Sequence, residues 1–189
     1  MFDFKKEYLY QSIADSQATI RAIDVKIGFI FVIIFLPLAA IDNVISKTVI
    51  MWNSSPYYIM AIIITAILWL LSVITIFSCV SVIKNPDRYI KGSIPTDTFF
   101  RGGIPDINVF NAFKITEFST SQTIQELSAT LPSKEGELIE QLTYEKMKIS
   151  IIREIKSCKA SFCLKLTLAW LTCGIALTIL CSLKIGVRP

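Results

Sequence analysis

Glu135, Glu137 and Glu140 place three carboxylates within two helical turns, the densest set of acid groups in the 189-residue chain. Paired carboxylates serve general acid–base chemistry when their surroundings push their proton affinities apart. Here they follow Pro132-Ser133, where acid groups meet the positive end of a helix dipole, and that electrostatic role accounts for them. Arg101-Gly102-Gly103 offers a cation and two unhindered amides, but no G-x-x-x-x-G-K-[ST] loop surrounds it to cradle a phosphate. The chain has no histidine. Ser-His and Cys-His nucleophile systems, His-ligated zinc and histidine phosphotransfer are therefore outside its chemistry. Its five cysteines, Cys79, Cys158, Cys163, Cys173 and Cys181, form no C-x-x-C pair, and they read as small apolar filler rather than disulfide or metal groups. The expectation is a protein that is not an enzyme and that has no catalytic, metal or cofactor residues.

The remaining charged constellation is Arg21, Asp24 and Lys26, at the threshold of an uncharged block. Basic residues there serve as membrane anchors, but an acid so close to lipid needs a partner. Lys156 and Lys159, approaching the membrane at similar depth on another helix, are the candidates. A polar network among these five residues is a candidate switch.

The elements that position them are set by apolar blocks. Ile27–Ile41, Tyr57–Ile83 and Phe162–Leu183 hold most of a chain that is 53% hydrophobic. The second, 27 residues without a charge, is about 40 Å long as a helix, beyond the roughly 30 Å of a hydrocarbon core. The third is interrupted only by Lys165, whose stem can snorkel. The first is short, roughly 22 Å, and is expected to borrow Val44 and Ile45. It stands too far into the chain, behind charged residues, to read as a signal peptide. The expected fold is all-α: an integral membrane protein with three transmembrane helices and long helical stems extending into the cytosol. The expected segments are 1–26 (amphipathic stem), 27–83 (transmembrane hairpin), 84–161 (cytosolic linker and long charged helix) and 162–189 (third span and tail).

Lys and Arg counts orient the chain. Four precede the first block, one (Lys47) lies between the first two, eleven lie in residues 84–159, and two follow the third block. This bias places the N-terminus and residues 84–161 in the cytoplasm, 42–56 outside and the C-terminus in the periplasm. The eleven basic groups of residues 84–160 face ten acidic ones, so the net charge of +4 signals no nucleic-acid partner.

Along the first stem Leu9, Ile13, Ile20 and Ile23 share one face, and Pro37 is expected to kink the rod without ending it. The second span is expected to end before Asn85-Pro86. A helix over 119–131 carries Ile124, Leu127 and Leu131 on one side. Ser133 then caps a continuous helix of about 50 residues whose apolar row is Leu138, Leu142, Ile149, Ile152 and Ile155.

The order of these elements resembles the transmembrane effectors of Pycsar anti-phage systems. The resemblance is carried by the R-x-x-D-x-K element of Arg21, Asp24 and Lys26, and by Phe99, Phe100, Gly102 and Ile104. The helix LIEQLTYEKMKISIIREIKSCKASF leading into LKLTLAWLTCGIALTIL completes it. The chain departs from that pattern at Ile23-Asp24-Val25-Lys26-Ile27 and at Thr116–Gln122, where the family has Ala-Asp-Thr-Lys-Ala and a more acidic run. The resemblance implies a bacterial inner-membrane effector of abortive infection that damages the membrane. Its trigger would be a cyclic pyrimidine nucleotide, cCMP or cUMP, from a partner cyclase. Phe99, Phe100, Arg101, Gly102 and Gly103 form the candidate ligand-contacting linker, with an apolar shelf for a base and amides for a phosphate. The alternatives are a retron effector controlled by a reverse transcriptase and its RNA–DNA hybrid, and a non-toxic membrane anchor or scaffold. The lipid bilayer and further copies of the chain are the expected partners, because one chain with three spans cannot enclose a water path.

Overall fold

The computed structural model describes residues 2–53, 55–81, 83, 86–91, 123–129 and 131–186. Five helices dominate it: α1 (Phe2–Phe35), α2 (Ile41–Trp52), α3 (Pro56–Val80), α4 (Ile124–Ala129) and α5 (Glu135–Gly186). Short 3₁₀ turns cover Leu36–Ala40 and Pro86–Tyr89, and no strand occurs among the described residues. The protein is all-α, and three helical stretches are long and apolar enough to cross a membrane: Asp3–Trp52, Pro56–Val80 and Glu135–Leu183. Such a stretch satisfies its own backbone hydrogen bonds, the condition for crossing lipid.

Helix α5, at 52 residues, follows from an uninterrupted helix-compatible sequence and a defined start. That start is capped differently from expectation. The Glu137 carboxylate, rather than the Ser133 hydroxyl, supplies the cap, accepting from the backbone N–H of Ser133 at 3.2 Å and Lys134 at 3.4 Å. Because the helix starts at Glu135, Ser133 stands before the cap position, and the Glu137 side chain makes the reach-back half of a capping box to the residues that precede the helix. Helix α4 has the reciprocal arrangement. The Thr123 amide donates to Glu126 at 2.8 Å, and the Glu126 amide donates to the Thr123 hydroxyl at 3.2 Å. These bonds hold the Glu126 carboxyl below the usual glutamate range. Of the expected helix over 119–131, Ile124–Ala129 is helical and Ile124 and Leu131 are exposed, while residues 119–122 and 130 lie outside the described residues.

One further boundary differs from expectation. The stretch after Ile41, expected as an outside loop, is helix to Trp52, and α3 begins at Pro56. Ser55 is extended and Pro56 opens α3, where its missing N–H is no loss. At its other end α3 stops at Val80, ahead of Asn85-Pro86 as expected, where Ser81 turns to an extended conformation (ψ 136°) while its N–H still reaches Phe77 O at 3.1 Å.

The chain divides into two compact units. One comprises Met1–Ser16 and Asn85–Ile151. Its buried positions mix Leu9, Leu142 and Ile149 with Ser16, Gln141, Glu145 and Lys148. Lys148 pairs with Glu145 at 2.9 Å and lies over the Tyr144 ring, while Lys146 lies over the Tyr8 ring, each 4.8 Å from the ring centre. Lys6 pairs with Glu135.

The other unit, Gln17–Lys84 and Ile152–Pro189, contains the apolar core. On α1 Ile23, Ile27, Ile30 and Ile34 are buried, at spacings that alternate four and three. The same alternation runs through Trp69, Ser72, Ile76 and Cys79 of α3, and through Ile152, Lys156, Lys159 and Cys163 of α5. A 3.5-residue period keeps one seam facing its neighbours, as in coiled coils. The α1 isoleucines pack with Trp69, Val73, Ile76, Cys79, Ala160 and Cys163.

Candidate functional site

Two of the seam positions of α5 are lysines, and what they meet defines the site. Asp24 stands on α1 one residue past buried Ile23, so its carboxylate lies beside the seam. The Lys156 ammonium donates to both of its oxygens, at 2.6 and 2.8 Å. These are short, charge-assisted bonds. One turn along α5, Lys159 donates to the Ser78 carbonyl at 3.0 Å. Ser78 belongs to the last turn of α3, whose four final carbonyls have no intrahelical partner. The Ser81 hydroxyl donates to the same carbonyl at 2.7 Å. An ammonium group at a helix C-terminus also meets the negative end of the dipole. Two adjacent turns of α5 thus tie α1 and α3 at one level, with Cys79 and Cys163 buried in the same core.

Neither side chain of the pair is enclosed by the protein. The Asp24 side chain is 48% exposed and that of Lys156 20%. The 3–5 kcal/mol penalty for breaking a buried pair therefore does not apply, and the contact belongs with exposed pairs worth about 0–1 kcal/mol. Lys156 takes Asp24, whereas Lys159, its alternative, serves a backbone carbonyl. Arg21 and Lys26 are exposed and form no ion pair among the described residues. The candidate linker residues Phe99, Phe100, Arg101, Gly102 and Gly103 lie outside the described residues.

Two contributors escape a sequence reading. Ser78 participates through its backbone, which no side-chain pattern signals. Trp69 donates its indole N–H to the Ile34 carbonyl at 3.0 Å. Pro37 is the signal for the second: lacking an N–H, it turns the backbone to 3₁₀ geometry over Leu36–Ala40 and leaves carbonyls to find donors elsewhere. The helical path continues past it in α2, so the proline breaks the α-geometry without ending the segment.

The five cysteines are free thiols, with Cys79, Cys163 and Cys181 buried. No group of three potential metal ligands occurs among the described residues. Comparison of the chain with protein-family models, curated proteins and solved structures finds no match.

Proposed function

We propose that this protein is a triggered effector of the bacterial inner membrane, in which the Asp24–Lys156 bridge couples the helices whose rearrangement impairs the bilayer. The bidentate contact between the two helices carries this reading. It joins the signature acid of α1 to α5 at the level where α3 ends, and its half-exposed setting lets it open without a large penalty. States of a switch typically differ by a few kcal/mol, so a contact of this size biases the balance without locking it. The lysine and arginine bias favours the bridge on the cytoplasmic side, where a signal made inside the cell arrives. The resemblance to Pycsar effectors favours a cyclic pyrimidine nucleotide as that signal. Exposed Val25, Phe29 and Val32 on α1 supply apolar surface for lipid or for further copies of the chain, which a water path requires.

The test is membrane potential in cells expressing the protein with a pyrimidine cyclase. The parent is expected to depolarise them. Asp24→Ala is expected to uncouple depolarisation from the trigger, and Asp24→Lys combined with Lys156→Asp to restore it. Arg21→Ala, whose residue forms no bridge, is expected to behave like the parent. Triggered depolarisation by Asp24→Ala at equal expression would remove the bridge from the mechanism. An unchanged potential with the parent would favour a membrane anchor instead.

A further inference from the structure

Past Pro37 the unit built from Gln17–Lys84 and Ile152–Pro189 is not filled by its own side chains. A cleft of about 800 Å³ lies between α2, α3 and α5. Trp69 and Trp170 line it, with Pro37 at the bend and Ile41 and Val44 on α2. Gly174 faces it from α5, and a Cβ added there would meet nothing within 4 Å. Such a volume is in the range of ligand sites, and its lining is mostly apolar. Among its lining residues Lys47 alone is charged, and it forms no ion pair among the described residues.

We infer that the cleft is a phospholipid site that takes an acyl chain against Trp69, Trp170 and Gly174 and the headgroup phosphate at Lys47. In a bilayer, apolar volume bounded by helices is filled either by protein or by lipid tails. The glycine leaves the wall too low for the protein to fill it. A lysine places its methylenes along an apolar wall and its ammonium at the headgroups, which selects an anionic amphiphile. The site rests on these helices crossing a membrane and is independent of whether the protein damages it.

The test uses full-length protein carrying Trp52→Phe, which leaves Trp69 and Trp170 as the fluorophores. It is reconstituted in phosphatidylcholine bilayers with increasing phosphatidylglycerol brominated on an acyl chain. Quenching is expected to saturate, and at a mole fraction about tenfold below that needed with equally brominated phosphatidylcholine, the ratio expected for one charge-assisted contact. Lys47→Gln is expected to erase that preference. Gly174→Leu is expected to raise the half-quenching mole fraction about tenfold, the effect of displacing about two methylenes from an apolar wall. Quenching that tracks mole fraction equally for both lipids, and ignores both substitutions, would overturn the site. Quenching that appears only when the protein is diluted in the bilayer would assign the cleft to a second copy and overturn it equally. Lys47 is exposed, so its variant reports even if Gly174→Leu loses helix content.

Discussion

The two ends of the membrane unit are built from the same three helical stretches yet close differently. Toward Asp24, the seam is filled by isoleucines at alternating spacing, with Ile34 and Ile76 fully buried, and the Lys156 and Lys159 contacts are added to it. Toward the end where α2 stops and α3 starts, the same helices surround a cleft, and Ile175 and Ile179 of α5 remain more than half exposed. The divide falls at Pro37, where the seam of α1 gives way to a 3₁₀ turn. A period of 3.5 residues holds only while α-geometry lasts. Once the turn tightens, the residues that follow are rotated out of the row.

Truncation at the two ends sharpens this contrast most. Ile76→Ala removes a side chain with no exposure and is expected to destabilise the protein by about 2–4 kcal/mol, the cavity range for packed interiors. Ile175→Ala, beside the cleft and 58% exposed, is expected to change stability by less than about 0.5 kcal/mol. Thermal unfolding in one detergent measures both, and equal losses would mean that the cleft end is packed as tightly as the other.

Trp69→Phe keeps an aromatic ring at the divide but removes its N–H. The Ile34 carbonyl then lacks its donor, at an expected cost of about 1–3 kcal/mol, and amide exchange in residues 36–40 is expected to accelerate. Pro37→Ala restores the missing backbone donor. It is expected to slow exchange there and to make the cost of Trp69→Phe smaller in the double variant. Independent, additive effects would separate the tryptophan from the bend.

Glu126, in the other unit, is the control that leaves both ends alone. Its folded-state carboxyl lies below the ordinary glutamate value because the Thr123 amide donates to it. It therefore supports α4 above the unfolded glutamate value, and that support is lost as pH falls through the depressed folded value. Amide exchange at Thr123 is expected to accelerate over that acidic window in the parent. Glu126→Gln is expected to flatten the dependence without altering either end of the membrane unit.

Much of the architecture was legible in composition and order. Uncharged runs such as Tyr57–Ile83 can satisfy their backbone in lipid only as helix, and nothing between Glu135 and Leu183 interrupts a helix, so three helical stretches follow from local rules. The acid at position 24 announced a need for a partner by its place beside an apolar block. Local rules also indicated a bend at Pro37, because a missing N–H is a property of one residue.

Other features depended on residues distant in the chain. Which lysine meets Asp24 is set by the register of α1 against α5, 132 positions apart, and equally basic Lys159 goes to the end of α3 because that helix stops at Val80. The donor for the Ile34 carbonyl, Trp69, lies 35 positions away. The degree of exposure that makes the bridge weak, and the space beside Gly174 that makes a cleft, are sums over three helices. Sequence determined which segments are helical and which groups needed partners, because those demands are local. Tertiary structure decided the partners and the empty volume, because distance and packing arise only when distant segments meet.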